Sequence, residues 1–257
     1  MKQAGPVTVL ITGATGAIGY ALARYYAKPD VCLILQGRNA DTLDALAEVC
    51  RAQGAEVWVR VLDLRDIPAL QQWLAEIIAG RLPDLVIASA GVNTNNGPGR
   101  QGESWQDIEA LLDVNVKSTL ALVNGLIPAM RRRGSGQLAL LSSLAAFYGL
   151  PLTPSYCASK AAIKAYGEAL RGWLVRDGVQ VNVVMPGYVK SAMCDEMPGP
   201  KPFLLAPEQA ARLIAQGLAK NQARISFPFP LNLGCWLLAV FPAALSQRFL
   251  RLLNYGG

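Results

Sequence analysis

The sequence predicts an α/β fold: one doubly wound parallel sheet of about seven strands, with helices on both faces and a helical C-terminal extension. Strand-like β-branched segments alternate with helical patterns of about a dozen residues, as in βαβ units. A glycine-rich turn follows the first strand-like segment, the place where such sheets bind dinucleotides. The 257 residues suffice for one large domain with a substantial core.

The composition excludes several classes of site. The chain has no histidine, which excludes a Ser-His-Asp triad and a histidine general base. Its five cysteines are scattered singly, which argues against a disulfide framework and a zinc site, so we expect no metal. No charged-then-apolar leader precedes Val7, and we expect a cytoplasmic protein, with membrane association left open.

The basic excess is concentrated near the C-terminus. Five of the 24 basic residues lie after Gln209, in a region without Asp or Glu: Arg212, Lys220, Arg224, Arg248 and Arg251. Without these five, the rest of the chain has 19 basic residues (24 minus 5) and 18 acidic residues, so its charge is nearly balanced. Because the same region is strongly apolar, it is unlike a duplex-binding face, and we expect no nucleic-acid partner.

Val7 to Thr12 is the first predicted strand, and a predicted helix extends to about Ala27. The turn between them reads Thr-Gly-Ala-Thr-Gly-Ala-Ile-Gly. Glycines there let the backbone approach a pyrophosphate at the helix N-terminus, as in Rossmann-type sheets. The turn therefore predicts a dinucleotide site, with six candidate cofactor-binding residues: Thr12, Gly13, Thr15, Gly16, Ile18 and Gly19.

Val31 to Gln36 is the second predicted strand, and Arg38 follows it. At this point of a dinucleotide fold, an acid would bind the free ribose hydroxyls and an arginine would pair with a 2′-phosphate. No acid is present, so Arg38 favours NADP(H), although NAD(H) stays open. The alternative is that Arg38 is a solvated loop residue.

The next two predicted strands, Glu56 to Leu62 and Asp84 to Ser89, each follow a predicted helix, over residues 40–53 and 67–79. Function in a parallel sheet collects at the carboxyl ends of the strands. The residues at these two ends are further cofactor-binding candidates: Asp63, Leu64, Ser89, Ala90 and Gly91.

A long helix is predicted from about Ser104 to Arg132, with Asn115 in its middle. Asparagine is mildly unfavourable inside a helix, so either a bonding partner holds Asn115 or the residue is simply exposed. The fifth predicted strand, Gln137 to Leu141, runs towards Ser143.

The helix predicted from Pro154 to about Arg176 carries Tyr156 and Lys160 on one face. A tyrosine pKa of about 10 must fall by roughly 3 units for acid–base work near neutrality. A cation about 5 Å away supplies much of that drop, and a second positive charge, such as an oxidised nicotinamide ring, would complete it. Taken alone, the spacing is better explained as an ordinary surface pair.

Val179 to Met185 is the sixth predicted strand, and the turn after it adds three cofactor-binding candidates: Pro186, Gly187 and Val189. A helix from Pro207 to Asn221 and a strand from Arg224 to Phe227 complete the sheet. The loop 190–206 shows no recognisable chemistry.

We divide the chain into a Rossmann-fold catalytic domain, 1–224, and an apolar extension, 225–257, that is not an independent domain.

The chain resembles the classical short-chain dehydrogenase/reductase family over roughly residues 7 to 190, on the order and spacing of these features: the glycine turn, Asp63, Asn115, Ser143, Tyr156, Lys160 and the Pro186-Gly187 turn. The resemblance implies that Tyr156 is the general acid/base and that Lys160 binds the nicotinamide ribose and lowers the tyrosine pKa. It implies that Ser143 orients the substrate carbonyl and that Asn115 supports a proton relay through water. By the same resemblance, Asp63 would face the adenine and the Pro186-Gly187 turn would close over the nicotinamide. We therefore expect an NADP(H)-dependent oxidoreductase that interconverts a ketone or aldehyde with an alcohol.

Two positions depart from the family pattern. The middle glycine of the turn is expected at position 17, but the chain has Ala17 and places the glycine at Gly16, as in the extended branch of sugar-nucleotide epimerases and dehydratases. The usual Asn-Asn-Ala-Gly reads Ala-Ser-Ala-Gly over residues 88–91. An epimerase-like or dehydratase activity is one alternative, disfavoured because the chain is short for a separate substrate domain. A cofactor-binding protein without catalytic activity is the other.

The stretch from Ile225 to Gln247 has no charged residue. Three prolines interrupt it, which argues against a membrane-spanning helix. It packs over the substrate pocket or forms an oligomer interface, or else it is an interfacial hairpin whose Arg248 and Arg251 meet anionic head groups. Either arrangement puts a hydrophobic surface near the active site. We therefore expect an apolar small-molecule substrate and a homodimer or homotetramer, with peripheral membrane contact through 225–253 left open.

Overall fold

The sheet has seven parallel strands in the order β3-β2-β1-β4-β5-β6-β7, which confirms the predicted fold class. The computed structural model describes residues 7–97, 101–197 and 199–253, so the predicted domain's residues 1–6 and the predicted extension's residues 254–257 lie outside it. The strands are β1 Val7–Thr12, β2 Val31–Gly37, β3 Glu56–Val61, β4 Leu85–Ala88, β5 Gly136–Leu141, β6 Val179–Pro186 and β7 Arg224–Phe227. Each predicted strand ends within two residues of the observed one.

Within the described residues, the α-helices lie on both faces of the sheet, and two of them follow the last strand in the chain. They are α1 Ala17–Tyr26, α2 Ala40–Ala52, α3 Ile67–Gly80, α4 Trp105–Leu112, α5 Ser118–Arg133, α6 Pro154–Leu174, α7 Ala192–Asp195, α8 Pro207–Ala219, α9 Leu231–Val240 and α10 Ala243–Leu252. One core layer joins α1, α2 and α8 to the sheet, with Leu22, Leu46 and Ile214 fully buried. The other joins α3, α5 and α6, through Leu74 and Leu126 among others.

Strand β1 pairs with β2 on one side and with β4 on the other. The strand order reverses at this point, and the diverging connections leave a crevice at the carboxyl ends of the two strands. The glycine turn after β1 and the Ser89-Ala90-Gly91 turn after β4 both lie at that crevice.

The single helix predicted over residues 104–132 is wrong in one respect. The backbone is α-helical in α4 and α5, but residues Asp113–Lys117 between them form a π-helical turn that contains Asn115. Such turns insert an extra residue per turn and occur frequently at functional sites. The physical reason is tertiary: Asn115 makes hydrogen bonds to a distant segment, described below.

The helical run 105–133 is long and apolar enough to cross a membrane by length and composition, with a mean hydropathy of 1.3. Its α5 part packs against the sheet through Leu122, Leu126 and Met130, which are buried in the core. We therefore interpret it as the core helix of this domain.

Two short helices follow the last strand as a hairpin. Residues 228–230 join β7 to α9, which packs through Leu231 and Cys235 against Leu144 and Met185 of the domain. The Asn232 side chain donates a hydrogen bond to the Ser226 carbonyl at 3.0 Å, and Ser246 in α10 donates one to the Leu238 carbonyl at 2.8 Å. The hairpin therefore has a fixed inner side that lies against the carboxyl end of the sheet.

Candidate active site

The glycine turn is held by the sheet. Gly13 has a φ of +63°, and a Cβ there would lie 2.7 Å from the Ala90 Cα, so only glycine fits. The Gln36 side chain accepts a hydrogen bond from the Gly13 N–H at 3.0 Å and donates one to the Leu62 carbonyl at 2.6 Å. Gln36 thus ties the turn to the ends of β2 and β3. Sequence reasoning missed it because a buried glutamine inside an apolar strand carries no pattern signal.

The N-terminus of α1 opens onto a cleft. Its N-cap residue, Gly16, has no side chain to bind the first N–H groups, and Ala17, Ile18 and Gly19 line the cleft. A Cβ at Gly19 would collide with the Gly13 carbonyl oxygen, so the helix begins as close to the turn as a backbone allows. Uncapped N–H groups at a helix N-terminus suit a phosphate or pyrophosphate group.

Arg38 and Asp63 line the same cleft at the ends of β2 and β3. The Asp63 carboxylate is bound by Arg65, with Nη2 and Oδ2 2.6 Å apart, and this bond lowers the Asp63 pKa below its usual value. Arg38 adds a smaller attraction to the same carboxylate. Sequence reasoning missed Arg65, although a cation two residues after an acid at a strand end was a visible signal.

The altered turn after β4 has a structural explanation. The Ser89 hydroxyl donates a hydrogen bond to the Thr12 carbonyl at 2.5 Å, and the Ala90 N–H donates to the Thr12 hydroxyl at 3.4 Å. These bonds join the carboxyl ends of β1 and β4. Thr12 is buried behind the cleft wall and holds this turn.

Tyr156, Lys160 and Ser143 come together at the middle of the cleft. The Lys160 Nζ lies 5.6 Å from the centre of the Tyr156 ring and donates a hydrogen bond to the Leu141 carbonyl at 3.1 Å. Lys160 is only 6 % exposed, and burial lowers its pKa to about 8. The tyrosine and the lysine are therefore an internal pair and not the ordinary surface pair that the spacing alone suggests.

The Tyr156 pKa moves in the direction opposite to the one that catalysis near neutrality requires. Loss of water around the phenol raises its pKa to about 12, while a hydrogen bond with the Ser143 hydroxyl acts in the lowering direction. The effect of burial on the Tyr156 pKa thus outweighs the effect of the neighbouring groups, so the protein's own charges do not lower this pKa to near neutral pH. Acid–base work by this phenol near neutral pH would therefore require a further cation, such as the oxidised nicotinamide ring of the sequence argument.

Asn115 is buried behind the cleft wall, with 1 % of its surface exposed, so an exposed asparagine is excluded. Its Oδ1 accepts a hydrogen bond from the Val92 N–H at 2.8 Å, and its Nδ2 donates to the Val92 carbonyl at 2.9 Å. Nδ2 also donates to the Ser159 hydroxyl, which in turn donates to the Tyr156 carbonyl. Asn115 therefore connects the turn after β4 to the backbone of the Tyr156 helix.

The cleft has a volume of about 780 Å³. All of the candidate residues named from the sequence line it except Thr12 and Asn115, which lie directly behind its wall. Its shape and lining fit a dinucleotide: the glycine turn, the open N-terminus of α1, Arg38 and the turns after β4 and β6. A Cβ at Gly91 would lie 3.3 Å from the Lys160 Nζ, so the glycine leaves the ammonium facing the cleft.

The cleft also has an extensive apolar wall. It is formed by Leu144, Leu150, Met193, Leu231, Leu238 and Leu250, among others. Met193 lies in α7, a short helix within the segment 190–206 that the sequence analysis treated as a loop, and Leu231, Leu238 and Leu250 come from the hairpin. Sequence reasoning could assign an apolar surface to the hairpin but could not identify these individual side chains.

A family model described as short chain dehydrogenase matches residues 7–200. The chain belongs to the short chain dehydrogenase family. It is accordingly an oxidoreductase that works with a nicotinamide dinucleotide, as the resemblance implied.

Several relatives resemble this family member over most of its length. An uncharacterized oxidoreductase of Myxococcus xanthus is 34 % identical over 249 residues, which are 96 % of this chain and 97 % of that protein. A fatty acyl-CoA reductase of Acinetobacter baylyi is 27 % identical over 219 residues, covering 84 % of this chain and 74 % of that protein. A short-chain dehydrogenase from Sphingobium yanoikuyae, solved in complex with NADPH, has a TM-score of 0.78 at 23 % identity and covers 96 % of this chain and 95 % of that one. This last likeness concerns the fold alone.

Proposed function

We propose that the protein is an NADP(H)-dependent oxidoreductase that interconverts a ketone or aldehyde with an alcohol on an apolar substrate, with Tyr156 as general acid/base. One observation carries this proposal: Tyr156 and Ser143 line the same cleft as the glycine turn and the apolar side chains of the hairpin. A substrate carbonyl beside Tyr156 and Ser143 would contact two hydroxyl groups, while its hydrocarbon part stays out of water.

Each side chain has a separate role in this proposal. A bound nicotinamide would supply the hydride in reduction and accept it in oxidation. Ser143 donates a hydrogen bond to the substrate oxygen and holds the carbonyl beside Tyr156. Tyr156 gives its phenolic proton to that oxygen in reduction and takes it back in oxidation. Lys160, 5.6 Å from the ring, stabilises the phenolate between the two events and, in this proposal, binds the nicotinamide ribose.

The proposed cofactor preference rests on Arg38. An arginine at the end of β2 can pair with a 2′-phosphate, and the acid that would bind a free ribose there is missing. The nearby Asp63 carboxylate is already neutralised by Arg65, which reduces its repulsion of a phosphate. NADPH is the cofactor bound in the Sphingobium yanoikuyae relative, which agrees with this preference. NAD(H) remains the weaker candidate.

The proposed apolar substrate rests on the cleft wall. Leucine and methionine side chains from four separate segments form its apolar part. A fatty acyl substrate, as the name of the Acinetobacter baylyi relative states for that protein, has the chemistry to fill such a wall. The same wall offers poor partners to the hydroxyl groups of a sugar nucleotide, which counts against the epimerase alternative raised by Gly16.

A series of carbonyl compounds tests this function. Straight-chain aldehydes and methyl ketones of increasing length are mixed with the protein and NADPH, and NADPH consumption is followed by absorbance. We expect kcat/KM to rise about tenfold for every two methylene groups buried, because each contributes about 0.8 kcal/mol. Equal rates on short polar and long apolar carbonyls would overturn the apolar substrate. Binding of NADPH without turnover of any carbonyl would favour the non-catalytic alternative.

We also propose that the protein is a homo-oligomer, a dimer or a tetramer. Sedimentation velocity of the full-length protein tests this proposal, and a monomer at high protein concentration would overturn it. The cytoplasmic location expected from the sequence stays a prediction.

A further inference from the structure

The outer side of the C-terminal hairpin is apolar along both helices. On α9 and α10, six side chains are spaced three, four or seven residues apart and are each between 45 % and 74 % exposed: Leu233, Trp236, Val240, Leu245, Phe249 and Leu252. This spacing puts them on one face of each helix, away from the buried Leu238 and Leu250. We call these six side chains the outer face.

The hairpin cannot hide its outer face by rotating. Leu231 and Cys235 pack against the domain and the Asn232 side chain bonds to Ser226, which holds α9, while the Ser246 bond to the Leu238 carbonyl joins α10 to α9. The Tyr148 hydroxyl adds a long bond to the Ala243 carbonyl at 3.4 Å. A contiguous exposed apolar surface on a fixed scaffold indicates an interaction site.

The charge around the outer face favours one occupant. Arg248 and Arg251 lie on α10 beside Leu245 and Leu252, and both are exposed. The chain has no Asp or Glu after Glu208, and within the described residues neither arginine forms an ion pair. Aromatic and leucine side chains flanked by arginines without acids match the interface of an anionic lipid layer.

The outer face is continuous with the cleft. Phe249 is 53 % exposed on the outer face and also lines the cleft, as do its neighbours Leu250 and Leu253. An apolar molecule at the outer face can therefore reach the cleft along a hydrocarbon surface.

We propose that the outer face of the α9–α10 hairpin docks on an anionic lipid surface and that apolar substrates enter the cleft from that surface past Phe249. The docking step goes beyond the proposed redox function and is measured without turnover. The route of the substrate rests on that function. A second copy of this chain, covering the same face, is the competing occupant.

Vesicle flotation of the full-length protein tests the docking. The protein is mixed with vesicles of phosphatidylcholine alone or of phosphatidylcholine with phosphatidylglycerol, and floated at low and high salt. We expect flotation with the anionic vesicles and a loss of at least about tenfold in bound protein at high salt, because exposed charges are screened. The double variant Arg248→Glu/Arg251→Glu should lose the same binding, whereas Arg132→Glu/Arg176→Glu, with equal charge change on exposed arginines elsewhere, should keep it.

A matched pair of tryptophan variants tests the apolar part. Trp236→Gln removes an outer-face side chain that is 45 % exposed, and Trp105→Gln removes one on α4 that is 67 % exposed. Only Trp236→Gln should reduce flotation. Both variants are checked for unchanged NADPH binding, which excludes general unfolding as the cause.

Two results would overturn the proposal. Equal flotation with neutral and anionic vesicles would show that the arginines do not select the surface. The absence of flotation would also overturn it, and sedimentation would then identify the occupant: a dimer that Trp236→Gln dissociates assigns the outer face to a second copy. Failure of the carbonyl screen would leave the flotation result standing, so the two proposals fail separately.

Discussion

Asn115 holds the backbone of Val92 at both polar groups, accepting from its N–H at 2.8 Å and donating to its carbonyl at 2.9 Å. The two residues are 23 positions apart, and the contact fixes the π-helical turn against the segment after β4. Because the same amide also bonds to the Ser159 hydroxyl, which bonds to the Tyr156 carbonyl, one side chain joins the segment after β4 to the helix that carries Tyr156.

Asn115→Ala should therefore damage both stability and the shape of the site. Leaving the Val92 N–H and carbonyl without partners in a buried place costs about 1–3 kcal/mol. We expect the free energy of unfolding in urea to fall by that amount, and the Val92 amide to exchange its hydrogen faster. Unchanged exchange at Val92 would show that the asparagine is not what holds this segment.

Tyr156→Phe should abolish most of the turnover and leave NADPH binding almost unchanged. The substitution removes the only proposed proton carrier and keeps the ring, so kcat should fall about 10²- to 10⁴-fold. Tyr166→Phe is the matched control, since Tyr166 packs against the core layer of α6 and takes no part in the site. Steady-state kinetics and NADPH fluorescence separate the two effects. A variant that keeps most of its kcat would remove Tyr156 from the mechanism.

Arg38→Asp should shift the cofactor preference towards NADH. A lost charge-assisted hydrogen bond to a 2′-phosphate weakens NADPH binding by about 1.5–3 kcal/mol, or roughly 10- to 100-fold. The new carboxylate can bind the ribose hydroxyls of NADH instead. The ratio of kcat/KM for the two cofactors measures the change, and Arg132→Asp at the end of α5 should leave it unaltered. If Arg38→Asp also leaves the ratio unaltered, Arg38 is a solvated loop residue.

Lys160 makes stability depend on pH in a definite direction. Its pKa is lowered by burial to about 8 from 10.5, so between these values the unfolded chain binds more protons than the folded one. Stability from this group is thus fully present above pH 10.5 and is lost as the pH falls through 8, a change of roughly 3 kcal/mol at most. The contribution is measured without added nucleotide between pH 8 and 10, as the difference in stability between the unaltered protein and a variant without this lysine. The difference is needed because Cys50 and Cys235, whose pKa burial raises to about 11, act in the opposite direction as the pH rises.

Lys160→Met should remove that contribution, since the titrating group is gone. Lys164→Met, one turn further along α6, is the matched control because Lys164 pairs with Glu168 near the surface, and this variant should follow the curve of the unaltered protein. Parallel curves for Lys160→Met and the unaltered protein would contradict the assignment of the pH dependence to Lys160.

The strands, and the edge of the sheet at which the functional residues gather, were predictable because the sequence signals for them are local. β-branched runs such as that of β1 mark the strands, and in a parallel sheet their carboxyl ends gather at one edge. Gly13, Arg38 and Ser143 could therefore be assigned to one cleft from their positions in the sequence alone. The Tyr156 and Lys160 pair needed the further fact that its helix faces that edge.

The features that escaped prediction depend on contacts between distant residues. The π-helical turn exists because Asn115 reaches Val92, and no pattern within residues 104–132 reveals this. The rise of the Tyr156 pKa depends on how much water the folded chain removes, which the charge of Lys160 does not indicate. Leu238 and Trp236 look alike in an apolar run, and only the packing of α9 on Leu144 and Met185 separates the inner side from the outer one.

The hairpin follows the last strand of the sheet in the chain. Its side chains line part of the cleft, but it contains none of the four residues assigned to proton handling and carbonyl orientation. In the proposed function, the choice of substrate therefore depends on the hairpin together with upstream apolar residues such as Leu144 and Met193, whereas the transfer of the proton depends on upstream residues alone. Substitutions after Phe227 can alter which carbonyls are accepted while the chemistry upstream is inherited unchanged. Exchanging this hairpin between relatives would be a direct way to move a substrate preference from one member of the family to another.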